Sequence, residues 1–423
     1  MARQMKDSGI EWIGEIPEGW SIARTKAFFS HHKHVAGEAA ERYERLALTL
    51  NGVIRRPKDD STGLQPEAFN GYQILRPNEL VFKLIDLENV ATSRVGYSPY
   101  TGIVSPAYIV LSPREEQESK FGEFFFLSLW QREIFNHMGD DGVRSSLNAG
   151  DLLNIPYPVA PADEKKRIVA FLDRKCAEID AVVERTKATI EEYKKLKQAV
   201  ITEAVTKGVR GPRKMKDSGI EWAKKIPVEW NSIHPKALFS QRKDKARAGQ
   251  RQLTASQQHG IIYQDEYMGL TGAKVVTVDK DFDILKQVEA GDFVISMRSF
   301  QGGLEYSNLS GSISSAYVML IPNHTLVCPR YFRWLLKSSV YINALQSTSN
   351  MVRDGQAMRY SNFAQVRLYT VPVDEQEEIA NYLDEKCAAI DTLITRKTAL
   401  LTELEAYKKS LIYEYVTGKK EVL

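Results

Sequence analysis

Residues 163–206 read DEKKRIVAFLDRKCAEIDAVVERTKATIEEYKKLKQAVITEAVT, 44 positions without a Gly or Pro. That is several times the length of an ordinary globular helix, about 12 residues. Apolar positions fall into two interleaved seven-residue series, one through Leu172 and Ile179 and one through Cys176, Val183 and Ile190. Such 3–4 spacing marks a helix that packs lengthwise against another helix. The partner lies in the same chain. At an offset of 211 residues the pattern returns through Leu383, Cys387, Ile390, Ile394, Leu401 and Leu404, and ten of the first eighteen aligned residues are identical.

The duplication extends beyond the helices. MKDSGIEW occurs at residues 5–12 and again at 215–222, each copy continuing to Ile-Pro and then Trp (Ile16, Pro17, Trp20; Ile226, Pro227, Trp230). An eight-residue identity makes the whole chain a tandem repeat. The motif itself reads as a docking patch that seats the start of each half. Each half then carries matching islands: 27–30 with 237–240, the turn-and-strand pair 78–82 with 291–295, and 102–111 with 311–320. Aromatic helical stretches follow around 124–130 and 331–336, and Gly-bearing polar loops lead to Pro156, Pro158, Pro161 and Pro372 just ahead of the long helices. The halves therefore read as mixed α and β. The resulting division is a first globular domain 1–162, a central helix 163–210, a second globular domain 211–373 and a C-terminal helix 374–423.

Composition is that of a water-soluble chain of 423 residues, with no apolar run long enough to span a membrane and no signal peptide at its start. Three cysteines, two on the helical seams, read as reduced core thiols of a cytoplasmic protein. Net charge is +3 but uneven: residues 1–162 hold 17 Lys/Arg against 21 Asp/Glu, whereas 211–373 hold 21 against 13. A polyanionic partner suits the second half; the first would need a local basic patch.

Helix length decides the expected topology. Forty-four residues at 1.5 Å give about 65 Å, whereas a 160-residue domain is only about 40 Å across. The second globular domain joins the end of one long helix to the start of the other. Parallel helices in register would put those points too far apart, so the helices are expected to run antiparallel with a globular domain at each end. The fold class is α+β, two tandem mixed domains separated by an antiparallel two-helix coiled coil with pseudo-twofold symmetry.

No catalytic motif emerges. A phosphate-binding GxxxxGK[ST] loop, an Asn-Pro-Pro-aromatic methyltransferase signature and a GxSxG elbow are all missing. His31, His32 and His34 invite a metal reading, but the repeat counterpart Gln241-Arg242-Lys243-Asp244 has no ligand set, so the segment reads as a polar, anion-facing loop. Glu164-Lys165-Lys166 reads as helix surface charge. Two related domains at a fixed separation suit a twofold-related reader of DNA half-sites somewhat more than one ~34 Å turn apart. The competing reading is a coiled-coil adaptor with two protein-binding modules and no nucleic acid. Arg- and Gln-bearing basic loops favour DNA, because those side chains read guanine and adenine edges bidentately.

MKDSGIEW with its Ile-Pro and Trp, the LNxxDLxxIPxP run at 147–158, Glu375-Gln376 and the Ile-Asp-rich long helix together resemble a type I restriction–modification specificity subunit. The resemblance covers both repeats. It departs from the usual Glu-Gln at Glu164-Lys165, read here as a tolerated variation of the helix cap. It implies a non-catalytic subunit whose two target-recognition domains read a bipartite double-stranded DNA sequence. Its helices would dock two methyltransferase subunits, and restriction subunits would join them. S-adenosylmethionine, ATP and Mg would sit on those partners, with no cofactor or metal on this chain. Residue type and loop context nominate DNA contacts at Lys33, Arg55, Arg56, Lys83, Arg94, Tyr97, Arg144, Ser145 and Ser146 in the first half. In the second half they are Arg242, Lys243, Gln257, Gln258, Arg298, Gln301, Arg353, Gln356 and Arg359.

Overall fold

The computed structural model describes residues 3–60, 68–85, 93–138, 146–247, 249–278, 284–296, 302–348 and 359–422. By contact the chain forms two compact units, Met1–Lys187 with Ala399–Leu423, and Ala188–Thr398. The heptad stretch is one α-helix, Ala162–Lys207, and its copy is another, Val373–Val416. Asp163-Glu164 and Asp374-Glu375 occupy their first turns, where the helix dipole favours negative charge.

Within each unit the two helices run antiparallel. In the first unit the rings of Phe171 and Tyr415 lie 4.5 Å apart, and Lys408 Nζ donates to both oxygens of Asp180 at 2.6 and 2.7 Å. In the second, Lys197 Nζ donates to both oxygens of Asp391 at 2.7 Å, and Arg210 donates to Asp374 and Glu378 at 2.7 Å each. Numbers rise on one helix as they fall on the other. Of the expected seam, Leu172, Cys176, Ile179, Val183, Ile190, Leu383, Cys387 and Ile390 are buried, and Ile394, Leu401 and Leu404 are half-buried. Burial pushes the Cys176 thiol up to about 11, which keeps it protonated and inert.

The globular parts are one scaffold built twice. An antiparallel sheet runs in the order Phe29–His31, Ile109–Pro113, Leu80–Phe82, Val95–Tyr97 in the first unit. The second unit repeats it as Phe239–Gln241, Val318–Pro322, Phe293–Ile295, Glu305–Tyr306. A further layer holds the hairpin Arg45–Thr49/Gly52–Arg56 and the pair Gln73–Leu75/Gly102–Val104, joined in parallel at Arg45 and Ile103. Its counterpart pairs Leu253–Ser256 with Gly260–Tyr263 and Lys286–Val288 with Gly311–Ile313, joined in parallel at Gln252 and Ser312. Between the layers sits a small core whose members correspond place by place: Leu46, Val53, Leu75, Val81, Val104 and Val110 against Leu253, Ile261, Val288, Val294, Ile313 and Met319.

Two backbone demands explain why these islands survive in the sequence. A Cβ at Gly102 would stand 2.6 Å from Glu44 O, and one at Gly311 2.5 Å from Arg251 O, so the parallel junction admits only Gly. Asn78 (φ 67) and Gly291 (φ 104) turn the chain into the central strand through the left-handed region. The next carboxylate, Glu79 or Asp292, then accepts from the backbone N–H three residues back, at Arg76 or Glu289.

A larger core in each unit packs the first sheet and the aromatic helix against the long helices. Glu118–Gln131 supplies Phe121, Phe125 and Phe126, and Pro329–Leu335 supplies Tyr331 and Phe332. The repeated opening motif is structural, as read from the sequence. Met5–Asp7 pairs with Glu15–Pro17, and Met215–Asp217 with Lys225–Pro227. Each hairpin delivers a fully buried Trp to the first turn of a long helix. Trp20 Nε1 donates to Glu164 at 2.9 Å and Trp230 Nε1 to Glu375 at 3.1 Å. Arg3 and Arg213 pair with those same carboxylates and lie over the Trp rings, 5.4 and 5.1 Å from the centroids.

Candidate nucleic-acid interface

The inner cores of the two units correspond place by place, so the nominated residues are taken from the outer layer and its loops inward. In the first unit Arg55 is exposed on the outer hairpin, 3.0 Å from Glu44, with its guanidinium 4.7 Å from the centre of the Tyr100 ring. Arg56 beside it is half-buried and paired with Asp60 at 2.7 Å. Lys33 is exposed and donates to Pro106 O at 3.2 Å, which ties it to the turn 105–108. Arg56 and Arg94 converge with Arg45 on Tyr108. Burial, the larger effect, raises that phenol above its ordinary range, while the three guanidinium groups pull the other way. Ser146 is exposed ahead of the helix Ala149–Asn154. The LNxxDL run is the cap of that helix: Asn148 Oδ1 accepts from Gly150 and Asp151 N–H, and Asp151 accepts from Asn148 N–H.

Three of the residues nominated in the first unit lie inward. Arg94 is fully buried, and Lys83 is half-buried next to it, its N–H donating to Arg94 O. Tyr97 faces the aromatic helix: its hydroxyl donates to Asn78 at 2.6 Å and Lys120 Nζ stands 4.3 Å from its ring centre. In the second unit Arg242 is clamped by buried Asp292 at 2.7 and 2.9 Å and by Asp244 at 3.0 Å, and these carboxylates raise its pKa further. Lys243 is exposed, as are Gln257 and Gln258 at the tip of the outer hairpin and Arg359 ahead of the helix Tyr360–Gln365. Arg144, Ser145, Arg298, Gln301, Arg353 and Gln356 lie outside the described residues.

Exposed Lys245 and Arg247 extend the Lys243 loop, and the run of basic residues at 242–247 was the signal for them. Arg251, 3.6 Å from the Tyr263 ring centre and paired with Asp265 and Glu266, gave no such signal. By contact unit the charge is again lopsided, 28 Lys/Arg against 31 Asp/Glu in the first and 29 against 23 in the second. His32 and His34 have ring centres 6.4 Å apart, and among the described residues no three His, Cys, Asp or Glu side chains converge as a metal set would. No described helix is long and apolar enough to cross a membrane.

Glu164-Lys165 is not a helix-cap variation. Lys165 is buried and donates to buried Glu118 at 2.6 Å, with the rings of Phe28, Phe121 and Tyr157 4.8 to 5.7 Å from its Nζ. At the same places the second unit has Cys328 and Gln376. There Gln376 accepts from Cys328 N–H at 2.7 Å and donates to Leu326 O and Val371 O at 2.8 Å.

No protein-family model and no curated protein matches the chain. Among solved structures, a chain from a type I R-M system studied for its complex assembly and conformational transition is similar over 96% of this chain and 99% of its own, with a TM-score of 0.69 and 14% identity. The HsdS subunit from Thermoanaerobacter tengcongensis is similar over 96% and 98%, with a TM-score of 0.50 and 14% identity. The chain thus shares its α+β fold, along nearly all of its length, with these two proteins of type I restriction–modification systems.

Proposed function

We propose that this chain is the DNA sequence-specificity subunit of a type I restriction–modification complex. One observation carries the reading: a single recognition scaffold is built twice with matching cores, while the exposed outer side chains differ between the copies. A reader of a bipartite, asymmetric target needs that combination. Residues 1–162 and 211–373 are the two target-recognition domains. The helices 163–210 and 374–423 space them and dock two methyltransferase subunits, with restriction subunits joining the assembly. The chain itself is non-catalytic; S-adenosylmethionine, ATP and Mg belong to the partners. The complex works in a bacterial or archaeal cytoplasm.

Arg55, Lys33, Lys243, Gln257, Gln258 and Arg359 have the exposure that base or phosphate contact requires. Buried Arg94 and clamped Arg242 are assigned to holding the recognition loops in place. The fold likeness to HsdS supports this reading. Sequencing methylated adenines in cells that express the chain with its methyltransferase subunits tests it. The expected result is one bipartite motif, with Arg359→Ala relaxing bases in one half only. An absence of any bipartite motif, together with no salt-dependent DNA binding by the assembled complex, would favour the protein-only adaptor.

A further inference from the structure

In the second unit the outer hairpin Leu253–Ser256/Gly260–Tyr263 runs straight into an eight-residue helix, Gln264–Thr271, and then an irregular stretch to Val278. Pro329–Leu335, Ser339–Ser347 and Tyr360–Gln365 of the same unit each bury two or three residues. Gln264–Thr271 buries none: three of its residues are half-buried and five are exposed. Leu270 is 67% exposed, and Val276 just beyond the helix is 87% exposed.

An isolated helix shorter than about 12 residues is marginal in water, so this one depends on what ties it down. The ties are polar, and they come from two adjacent residues just ahead of the hairpin. Arg251 Nη2 donates to the two Asp265 oxygens at 2.9 and 2.7 Å and to Glu266 at 2.9 Å, with its guanidinium over the Tyr263 ring. Gln252 donates from Nε2 to Val278 O at 2.7 Å and accepts from Val278 N–H at 2.9 Å. Arg251 thus holds the first turn of the helix, and Gln252 holds the end of the excursion. Gly272 (φ 68) closes the helix, its N–H donating to Met268 O. The fold gains no buried side chain from the helix, so its defined shape serves something outside the chain.

Position and charge indicate a DNA duplex. The ring centres of Tyr267 and His259 lie 6.1 Å apart, which seats the helix beside the hairpin tip that carries exposed Gln257 and Gln258. Leu270 and Thr271 follow Tyr267 by three and four residues and share its side of the helix. Residues 243–278 expose five cations, Lys243, Lys245, Arg247, Arg251 and Lys274, against three acids, Asp244, Asp265 and Glu266. Two of those acids are already the partners of Arg251. A helix fits the B-DNA major groove, about 12 Å wide. This face offers base edges a phenol, with an imidazole and two amides beside it, and offers a thymine methyl the Leu270 side chain.

We infer that Gln264–Thr271 is the recognition helix of the second target-recognition domain, reading base edges with Tyr267 and Leu270 while Arg251 and Gln252 hold it in position. The inference rests on the specificity-subunit reading above.

The test is sequencing of methylated sites in cells that express the full chain with its methyltransferase subunits. Tyr267→Ala with Leu270→Ser is expected to lower discrimination about tenfold at one or a few adjacent positions of one half-site. The other half-site should stay as strict as in wild type. Gly269→Pro removes a helical N–H and crowds the Asp265 carbonyl, which breaks the helix, and should relax the same positions. Neither variant alters a buried residue, so thermal unfolding should match wild type and reports that the fold is intact. A folded variant that leaves every position of the motif unchanged overturns the inference. Loss of assembly with the methyltransferase subunits, read by size-exclusion chromatography, also overturns it, because the helix would then be a protein contact. Failure of wild type to give any bipartite motif overturns the underlying reading instead.

Discussion

Replacing Lys165 with Met should strongly destabilise the helix-proximal core of the first unit. The Lys165 and Glu118 side chains are 4% and 5% exposed, and among the described residues their 2.6 Å contact is the one ion pair either makes. Tyr157 donates to the other Glu118 oxygen at 3.2 Å, and burial followed by that carboxylate holds the phenol protonated well above its ordinary range. Removing the ammonium leaves a carboxylate in an aromatic box with one neutral donor, and breaking a buried pair from one side costs about 3–5 kcal/mol. For a unit of this size each kcal/mol moves Tm by about 2–4 °C, so the expected loss is about 6–20 °C. Calorimetry on the full chain should show the transition of the first unit falling while that of the second stays in place. Glu118→Met added to Lys165→Met should recover most of the loss, since an apolar pair of similar volume carries no desolvation cost. A Lys165→Met transition lowered by less than about 2 °C, near 1 kcal/mol or below, would refute the buried-pair account.

Four further outcomes follow. Trp20→Phe removes an N–H donated to a carboxylate and should cost the first unit about 1.5–3 kcal/mol, with Trp230→Phe doing the same to the second; urea titration followed by unit-specific fluorescence checks it. Gly102→Ala should cost about 1–3 kcal/mol through overpacking, whereas Gly71→Ala, whose Cβ would meet nothing within 4 Å, should stay within about 0.5 kcal/mol. Lys243→Ala should weaken DNA binding evenly across sequences and lower the salt slope by about 1, measured by anisotropy at several salt concentrations. Lys286→Gln should leave stability unchanged or slightly higher. Burial depresses that ammonium, and Gln73, its counterpart, already shows an amide holding the equivalent tyrosine carbonyl.

The long helices were legible because a heptad repeat over 44 positions is set by local spacing alone; their starts were placed within one residue, while the observed Ala162–Lys207 and Val373–Val416 stop short of the expected ends at 210 and 423. The duplication was equally plain, and the matching sheets follow from it. Less was legible wherever a residue's role depends on a partner distant in sequence. Trp20 meets Glu164 across 144 positions and Arg242 meets Asp292 across 50, and nothing local announces either. Residue type nominates an arginine for DNA and cannot tell exposed Arg55 from buried Arg94. Lys165 misled for a related reason: on the first turn of a charged helix it looked solvated, and only the fold brings Glu118 to it.

The two copies show which features of the scaffold are constrained. Where Lys165 of one unit meets the Glu118 carboxylate, Gln376 of the other meets backbone groups instead, the Cys328 N–H among them, so the buried pair and the amide each satisfy their own surroundings. Where a backbone carbonyl needs a donor, the donor's identity drifted while the hydrogen bond stayed, as with Gln73 and Lys286 on Tyr108 O and Tyr317 O. Where no side chain can substitute, at Gly102 and Gly311, the residue did not change. The Trp–Glu–Arg node at the head of each long helix is also unchanged, and it fixes each globular part to its helix. The drift therefore has a direction, small at the helices and greater toward the exposed outer hairpins. There Arg55 over Tyr100 on the second hairpin strand of one copy corresponds to Arg251 over Tyr263 in the other, with the guanidinium moved to the segment ahead of the first strand. The base is held while the outer surface varies, which is the division of labour that the proposed reading of a two-part target requires.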